Sequence, residues 1–204
     1  MTLKKMNWNE VIPFSYKENK EIKSAFEPII SQTLKNAKKS DKPCLVHMLG
    51  IPGSGKSTFW KKNKNLFSDY VFVSFDDVMD KLPTYHKDSS SLGLKEAFAR
   101  WEIPSRIAGY ELLTRAIKQK KNIFLDHSGT PELHLALMQE AKKAGYKTKM
   151  YYLKCDVNTA LERVSAREQE IQRHTPRELI IKRAPLVQKR AKQFKQIVDE
   201  FIEV

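Results

Sequence analysis

The sequence predicts an α/β fold: a parallel sheet of four to five strands covered by helices on both faces, with an extra helical segment in front. Three observations carry this. Short apolar runs of strand length alternate with longer segments of helical period. The first run leads directly into a glycine-rich stretch, Gly50-Ile51-Pro52-Gly53-Ser54-Gly55-Lys56-Ser57-Thr58. Two further runs end in aspartates, Asp76-Asp77 and Asp126. Such alternation builds parallel sheets with crossover helices on both faces, and ligands of these sheets bind at the carboxyl ends of the strands.

The elements follow in order. Residues 8–38 read as helical, with Ile22, Phe26, Ile29, Ile30 and Leu34 on one face. Pro28 inside that segment predicts a kink or two helices. Residues 1–40 therefore read as an N-terminal helical extension, and 41–204 as the main domain. Ser40-Asp41-Lys42-Pro43 makes the turn before the first strand, 44–49, and a helix over 55–64 follows the glycines. Tyr70 to Phe75 is the second strand. Residues 83–93 read as loop, and 94–120 as helix broken near Pro104. Asn122 to Leu125 is the third strand. Thr130-Pro131-Glu132 opens a helix, with Thr130 as N-cap and proline at the first helical position, and Gly145 ends it. Lys147 to Leu153 is the fourth strand, and a helix starts near 157. Thr175-Pro176-Arg177-Glu178 reads as a capping box for the last helix. The tail, 201–204, suits the end of that helix or a short fifth strand.

A chain of 204 residues suits one domain with a full core. At 41% apolar and 30% charged it has the composition of a soluble globular protein rather than a disordered one. No run approaches the length of a membrane span, and the N-terminus lacks the apolar core of a signal peptide. Cys44 and Cys155 lie in or beside strand-like runs, as in a reduced, cytoplasmic protein. The net charge of +13 suits either an acidic partner or a lysine-rich solvated surface. The lysines are scattered and not interleaved with aromatics, which favours the surface.

The glycine-rich stretch matches G-x-x-x-x-G-K-[ST] without a mismatch. Its glycines let the backbone curl so that N–H groups point at a phosphate. The lysine, Lys56, then reaches the β- and γ-phosphates of a nucleotide, and the Ser57 hydroxyl ligates Mg²⁺. The helix start adds its positive dipole end. ATP and Mg²⁺ are therefore expected, with Gly50, Pro52, Gly53, Ser54, Gly55, Lys56, Ser57 and Thr58 as the nucleotide loop. An aspartate at a strand end beside this loop can take a proton from an attacking hydroxyl or hold Mg²⁺. We assign Asp76 to the first task and Asp126 to metal or substrate. The plainer reading of Asp76-Asp77 is an N-cap pair, and of His127 a polar loop residue. Arg163 and Arg167, four apart, share a helix face, and Arg173 follows before Thr175. Arginine suits the charge that develops on a transferring phosphoryl group; alternatively these residues pair with Glu162, Glu168 or Glu170 on a solvated helix.

At this point the chain resembles the zeta toxin family of P-loop kinases, which transfer the γ-phosphate of ATP to a hydroxyl of a UDP-amino sugar. The residues that carry the resemblance are 50–57, Val71 to Asp77, Phe124-Leu125-Asp126-His127-Ser128-Gly129-Thr130, Ala144 to Tyr151, and Arg173-His174-Thr175-Pro176. The phosphate loop is common to many families; the Gly-Tyr-Lys-Thr-Lys-Met-Tyr run and the Arg-x-Thr-Pro step are more telling. The resemblance implies a P-loop kinase fold, Asp76 as catalytic base, Lys56 on the phosphates, and Arg163 and Arg173 as ATP-clamping arginines, with Arg167 beside them. It places Glu111 against the acceptor, where the sequence by itself reads an exposed helix residue. Asp77, Asp126, His127 and Thr130 complete the expected acceptor side. It also implies an antitoxin-like inhibitor protein. The chain departs from the family pattern at Asp126, where glutamate is usual, at Met79, where a basic residue is common, and in the short spacing from Arg163 to Arg173.

Two other readings stay open. A polynucleotide 5′-hydroxyl kinase has a similar layout, and the net charge suits a nucleic-acid acceptor, although no groove with stacking aromatics is evident. A nucleotide-binding interaction module would need Lys56 and Ser57 but not Asp76.

Overall fold

The structure, a computed structural model, describes Tyr16, residues 19–171 and residues 175–204. The expected helix over 8–18 (apart from Tyr16) and Arg173 lie outside the described residues. The elements run α1 (Lys20–Lys35), β1 (Cys44–Leu49), α2 (Lys56–Asn63), β2 (Val71–Ser74), α3 (Phe75–Asp80), α4 (Pro83–Leu92), α5 (Leu94–Lys118), β3 (Ile123–Asp126), α6 (Leu133–Lys143), β4 (Lys147–Tyr152), α7 (Val157–Ile171), α8 (Arg177–Ile197) and β5 (Glu200–Glu203). The five strands form one sheet in the order β2-β3-β1-β4-β5, and every pairing is parallel. The tail is thus the fifth strand of the expected α/β sheet.

β1 is central, and all six of its residues are buried, which is why it reads as an unbroken apolar run. Its alternate residues serve two cores. Leu45 and Leu49 join the larger core, with Phe26, Leu112, Leu137, Ile180 and Phe194 from α1, α5, α6 and α8. Cys44, Val46 and Met48 face the other side, where Phe59 and Trp60 of α2 cover the sheet. Trp60 stacks on Phe72 of β2 at 3.9 Å between ring centroids. β5 is one of the two edge strands, and Glu200 pairs there with Lys147 and Lys149 of β4. Charges on an edge of this kind discourage further strand addition.

Several local expectations are corrected. α1 and α5 run through Pro28 and Pro104 without interruption. A mid-helix proline costs about 3 kcal/mol, but burying Ile22, Phe26, Ile30 and Leu34 from α1 alone returns about 1.5–3 kcal/mol per side chain. Residues 83–93 are not loop: Pro83 sits in the first turn of α4, and Trp101 Nε1 of α5 donates to Asp88 at 2.8 Å. Thr130 is not an N-cap. Helix α6 starts at Leu133, with Glu132 at its cap position, and the Thr130 hydroxyl lies 3.0 Å from that of Ser128. The Thr175 capping box does not form either. Pro176 takes the cap position of α8, and the Thr175 hydroxyl accepts from Arg167 at 3.2 Å. Residues of α1 join the larger core beside the sheet.

Candidate active site

The phosphate loop spans the turn from β1 to α2. Gly53 and Gly55 have φ of +83° and +95°, the left-handed region that glycine tolerates best. A Cβ on Gly53 would lie 2.5 Å from the Ala160 carbonyl oxygen of α7, so glycine is required there on both counts. The Lys56 ammonium folds back and donates to the carbonyls of Gly50 and Ile51, each at 3.0 Å. Burial pulls its pKa down to about 8, against the opposing pull of Asp126. Ser54 is buried, and its hydroxyl has no partner among the described residues.

A cleft of about 800 Å³ opens over this loop, a volume ordinary for a small-molecule site. Pro52, Gly53, Gly55, Lys56, Ser57 and Thr58 line one side. Asp76 enters from α3, and Asp126, His127 and Ser128 from the end of β3. Arg163 and Arg167 enter from α7, and the Arg163 guanidinium donates to the Gly53 carbonyl at 3.4 Å. Asp76 lies in the first turn of a helix rather than on a strand end. Gly109 of α5 explains its placement. A Cβ there would sit 2.4 Å from the ring of Phe75, so the absence of a side chain lets Phe75 seat against α5 and present the next residue to the cleft.

Other expected residues are not gathered here. Asp77 pairs with Lys81 at 2.6 Å. Glu111 does not line the cleft; it pairs with Arg115 at 2.7 Å, and Arg115 also grips Glu27 of α1. The Thr130 carbonyl accepts from Arg190 at 3.0 Å. Gly50 and Ser54 support the loop from behind instead of lining the cleft.

Sequence reasoning pointed to residues 83–111 as the acceptor pocket but named none of the cleft-lining residues there or on α8. Phe98, Glu102, Ser105 and Arg106 share one face of α5, and Arg183 of α8 joins them at the cleft. The helical spacing of the α5 set was a usable signal; the approach of α8 was not. Beneath the cleft, His47 of β1, His127 and His134 of α6 bring nitrogens within 4.8 Å of one another. That spacing could hold a metal, but hydrogen bonds already occupy the rings. His47 Nδ1 donates to the Met48 carbonyl, so its Nε2 accepts from His134 Nδ1 at 2.6 Å. His134 Nε2 then accepts from the Tyr110 hydroxyl at 3.0 Å. His127 Nδ1 accepts from the Gly129 amide at 3.2 Å, which leaves its proton on Nε2. Burial keeps all three neutral: it pulls the pKa of His47 down to about 4, and those of His127 and His134 well below the usual range.

A parallel sheet with a phosphate loop at the carboxyl end of its central strand, facing carboxylates and arginines across one cleft, defines a P-loop phosphotransferase. The zeta toxin family model matches residues 30–202, and the chain belongs to that family. No curated protein sequence matches it. Among solved structures it is similar to one from the PezAT chromosomal toxin-antitoxin system of Streptococcus pneumoniae: TM-score 0.70, 16% identity, covering 91% of this chain and 76% of that one. It is also similar to the AvrRxo1-ORF1:-ORF2 complex with ATP: TM-score 0.69, 16% identity, 87% of this chain and 60% of that one. A third likeness is to a chain of the Pnkp1/Rnl/Hen1 RNA repair complex: TM-score 0.54, 20% identity, 78% of this chain and 48% of that one. The chain thus spans about three quarters of the first structure and three fifths of the second. Among the described residues, no helix is long and apolar enough to cross a membrane.

Proposed function

We propose that this chain transfers the γ-phosphate of ATP to a hydroxyl of a small molecule, with a UDP-N-acetyl amino sugar as the first candidate acceptor. The observation that carries the reading is that Asp76 and Asp126 share one cleft with Lys56 and the phosphate loop. ATP would draw the Lys56 ammonium off the Gly50 and Ile51 carbonyls and onto its phosphates. Asp76 takes the proton of the acceptor hydroxyl as that oxygen bonds to the γ-phosphorus and the bond to ADP breaks. Arg163 and Arg167, with Arg173 beyond them, supply positive charge to the transferring group. Ser57 and Asp126 both line the cleft and offer the oxygen ligands that Mg²⁺ takes. Bound there, the ion neutralises phosphate charge.

The structural relatives carry partner proteins in their names, a toxin-antitoxin system and a two-component complex. By analogy we infer that an inhibitor protein holds this chain through the same cleft. A reducing cytoplasm suits its two free cysteines. The likeness to an RNA repair protein and the net charge of +13 favour a second reading, with a polynucleotide 5′-hydroxyl as acceptor.

The test offers UDP-N-acetylglucosamine and a 5′-hydroxyl oligonucleotide side by side with γ-labelled ATP. Label on the sugar nucleotide supports the first reading, and label on the oligonucleotide the second. ATP bound with label on neither would leave a nucleotide-binding module or another acceptor.

A further inference from the structure

Arg183 is a half-buried cation with no hydrogen bond or ion pair among the described residues. Its surroundings add no relief. Burial and the Arg106 guanidinium both push its pKa down, and only Glu102 opposes them. That one carboxylate already accepts from Arg106 at 2.6 Å, so two guanidiniums share a single anion. Ser105, next to Arg106, is 1% exposed, lines the cleft, and has a hydroxyl without a partner. Across from it, His127 carries its proton on Nε2 and is a donor. Desolvated donors and an uncompensated charge are costly to keep in a folded protein. They recur where a ligand completes them.

Resting on the kinase reading, we propose that Arg183 and Arg106 clamp an anionic group, phosphate or carboxylate, that the acceptor carries in addition to its reactive hydroxyl. The phosphates of ATP have their own cations in Lys56 and Arg163 at the loop. The arginine pair stands on α5 and α8: Arg183 is close enough to Lys56 to lower its pKa, whereas Arg106 is not among the charges that shift it most, so the pair borders the phosphate loop only at its Arg183 end. Ser105 supplies a further donor, and the planar fork of arginine suits a two-oxygen anion. The pair thereby selects acidic hydroxyl compounds over neutral polyols.

The test uses inorganic phosphate as probe on the full chain saturated with a non-hydrolysable ATP analogue and Mg²⁺, at matched ionic strength with chloride as control. Phosphate is expected to raise the melting temperature of the loaded wild type. Arg183→Gln is expected to melt no lower than wild type without ligand, because it removes an unpaired half-buried charge. It should lose the phosphate response, with an affinity drop of about tenfold or more. Arg183→Lys, which keeps the charge but not the fork, should fall between. The clamp is overturned if loaded wild type ignores phosphate, or if Arg183→Gln responds as wild type does. It is also overturned if the variant loses the ATP analogue instead, which would assign Arg183 to the donor. If the analogue fails to bind wild type at all, the kinase reading falls and takes the acceptor clamp with it.

Discussion

Mild acid should destabilise this protein before its carboxylates titrate, because of two buried histidines, His47 and His134, and the part-buried His127 beside them. The perturbation is a change from about pH 7 to about pH 5 on the ligand-free chain. In the unfolded state each ring titrates near its usual value of about 6.5. In the folded state burial holds His47 down to about 4 and pulls His127 and His134 well below the usual range. Between those values the unfolded chain binds protons that the folded chain refuses. Stability is therefore full above about 6.5 and falls as the pH drops toward 4. Linkage over this interval gives about 2 kcal/mol for His47, a large share of the stability of many domains, and His127 and His134 act in the same direction. The salt-bridged carboxylates act lower: Glu27, which Arg115 holds down to about 2, loses its contribution only below the usual carboxylate range. Urea unfolding at the two pH values measures the difference directly. A change of less than about 1 kcal/mol would refute the neutral, hydrogen-bonded histidine chain.

Three further outcomes are expected. Protonated Lys56 is the form that binds phosphate, so with its pKa near 8 nucleotide binding should take up a proton; affinity should weaken by about tenfold per pH unit above about 8. Calorimetry in two buffers of different ionisation enthalpy checks this, and zero uptake contradicts it. Gly109→Ala puts a methyl group 2.4 Å from the Phe75 ring. It should cost about 1–3 kcal/mol and slow turnover while sparing ATP affinity, as urea unfolding and steady-state kinetics would show. Arg115→Ala leaves Glu27 and Glu111 facing each other half-buried and should lower stability by about 1–3 kcal/mol, read from the urea midpoint.

The phosphate loop was legible in the sequence because its chemistry dictates residue identity. Glycines must stand where φ is positive and a lysine where phosphates lie, and no distant contact is needed to recognise that. The strands were legible because β1 and β3 are buried on both faces and so cannot alternate. Proline misled the reading of α1 and α5: the local penalty is real, but the apolar stripe that outweighs it depends on what lies opposite. α4 carried its signal in Pro83 and was masked by its serines, whose hydroxyls bond back along the helix, as from Ser89 to the Tyr85 carbonyl at 2.7 Å. The individual residues of the wall opposite the phosphate loop were hidden for a different reason. Arg106 and Arg183 lie far apart in sequence and meet only because the strand order folds α8 back across the sheet. Glu111 is the converse case: it belongs to the α5 helix that lines the cleft, but its carboxylate is turned to Arg115 and α1.

The central claim is that Asp76 removes the proton from an acceptor hydroxyl as ATP gives up its γ-phosphate. Its most direct test is single-turnover transfer from γ-labelled ATP in wild type and Asp76→Asn, with ATP affinity measured on both. The account predicts equal ATP binding and transfer slower by about 10² or more in the variant, as for loss of a general base. Equal transfer rates in the two proteins would contradict it.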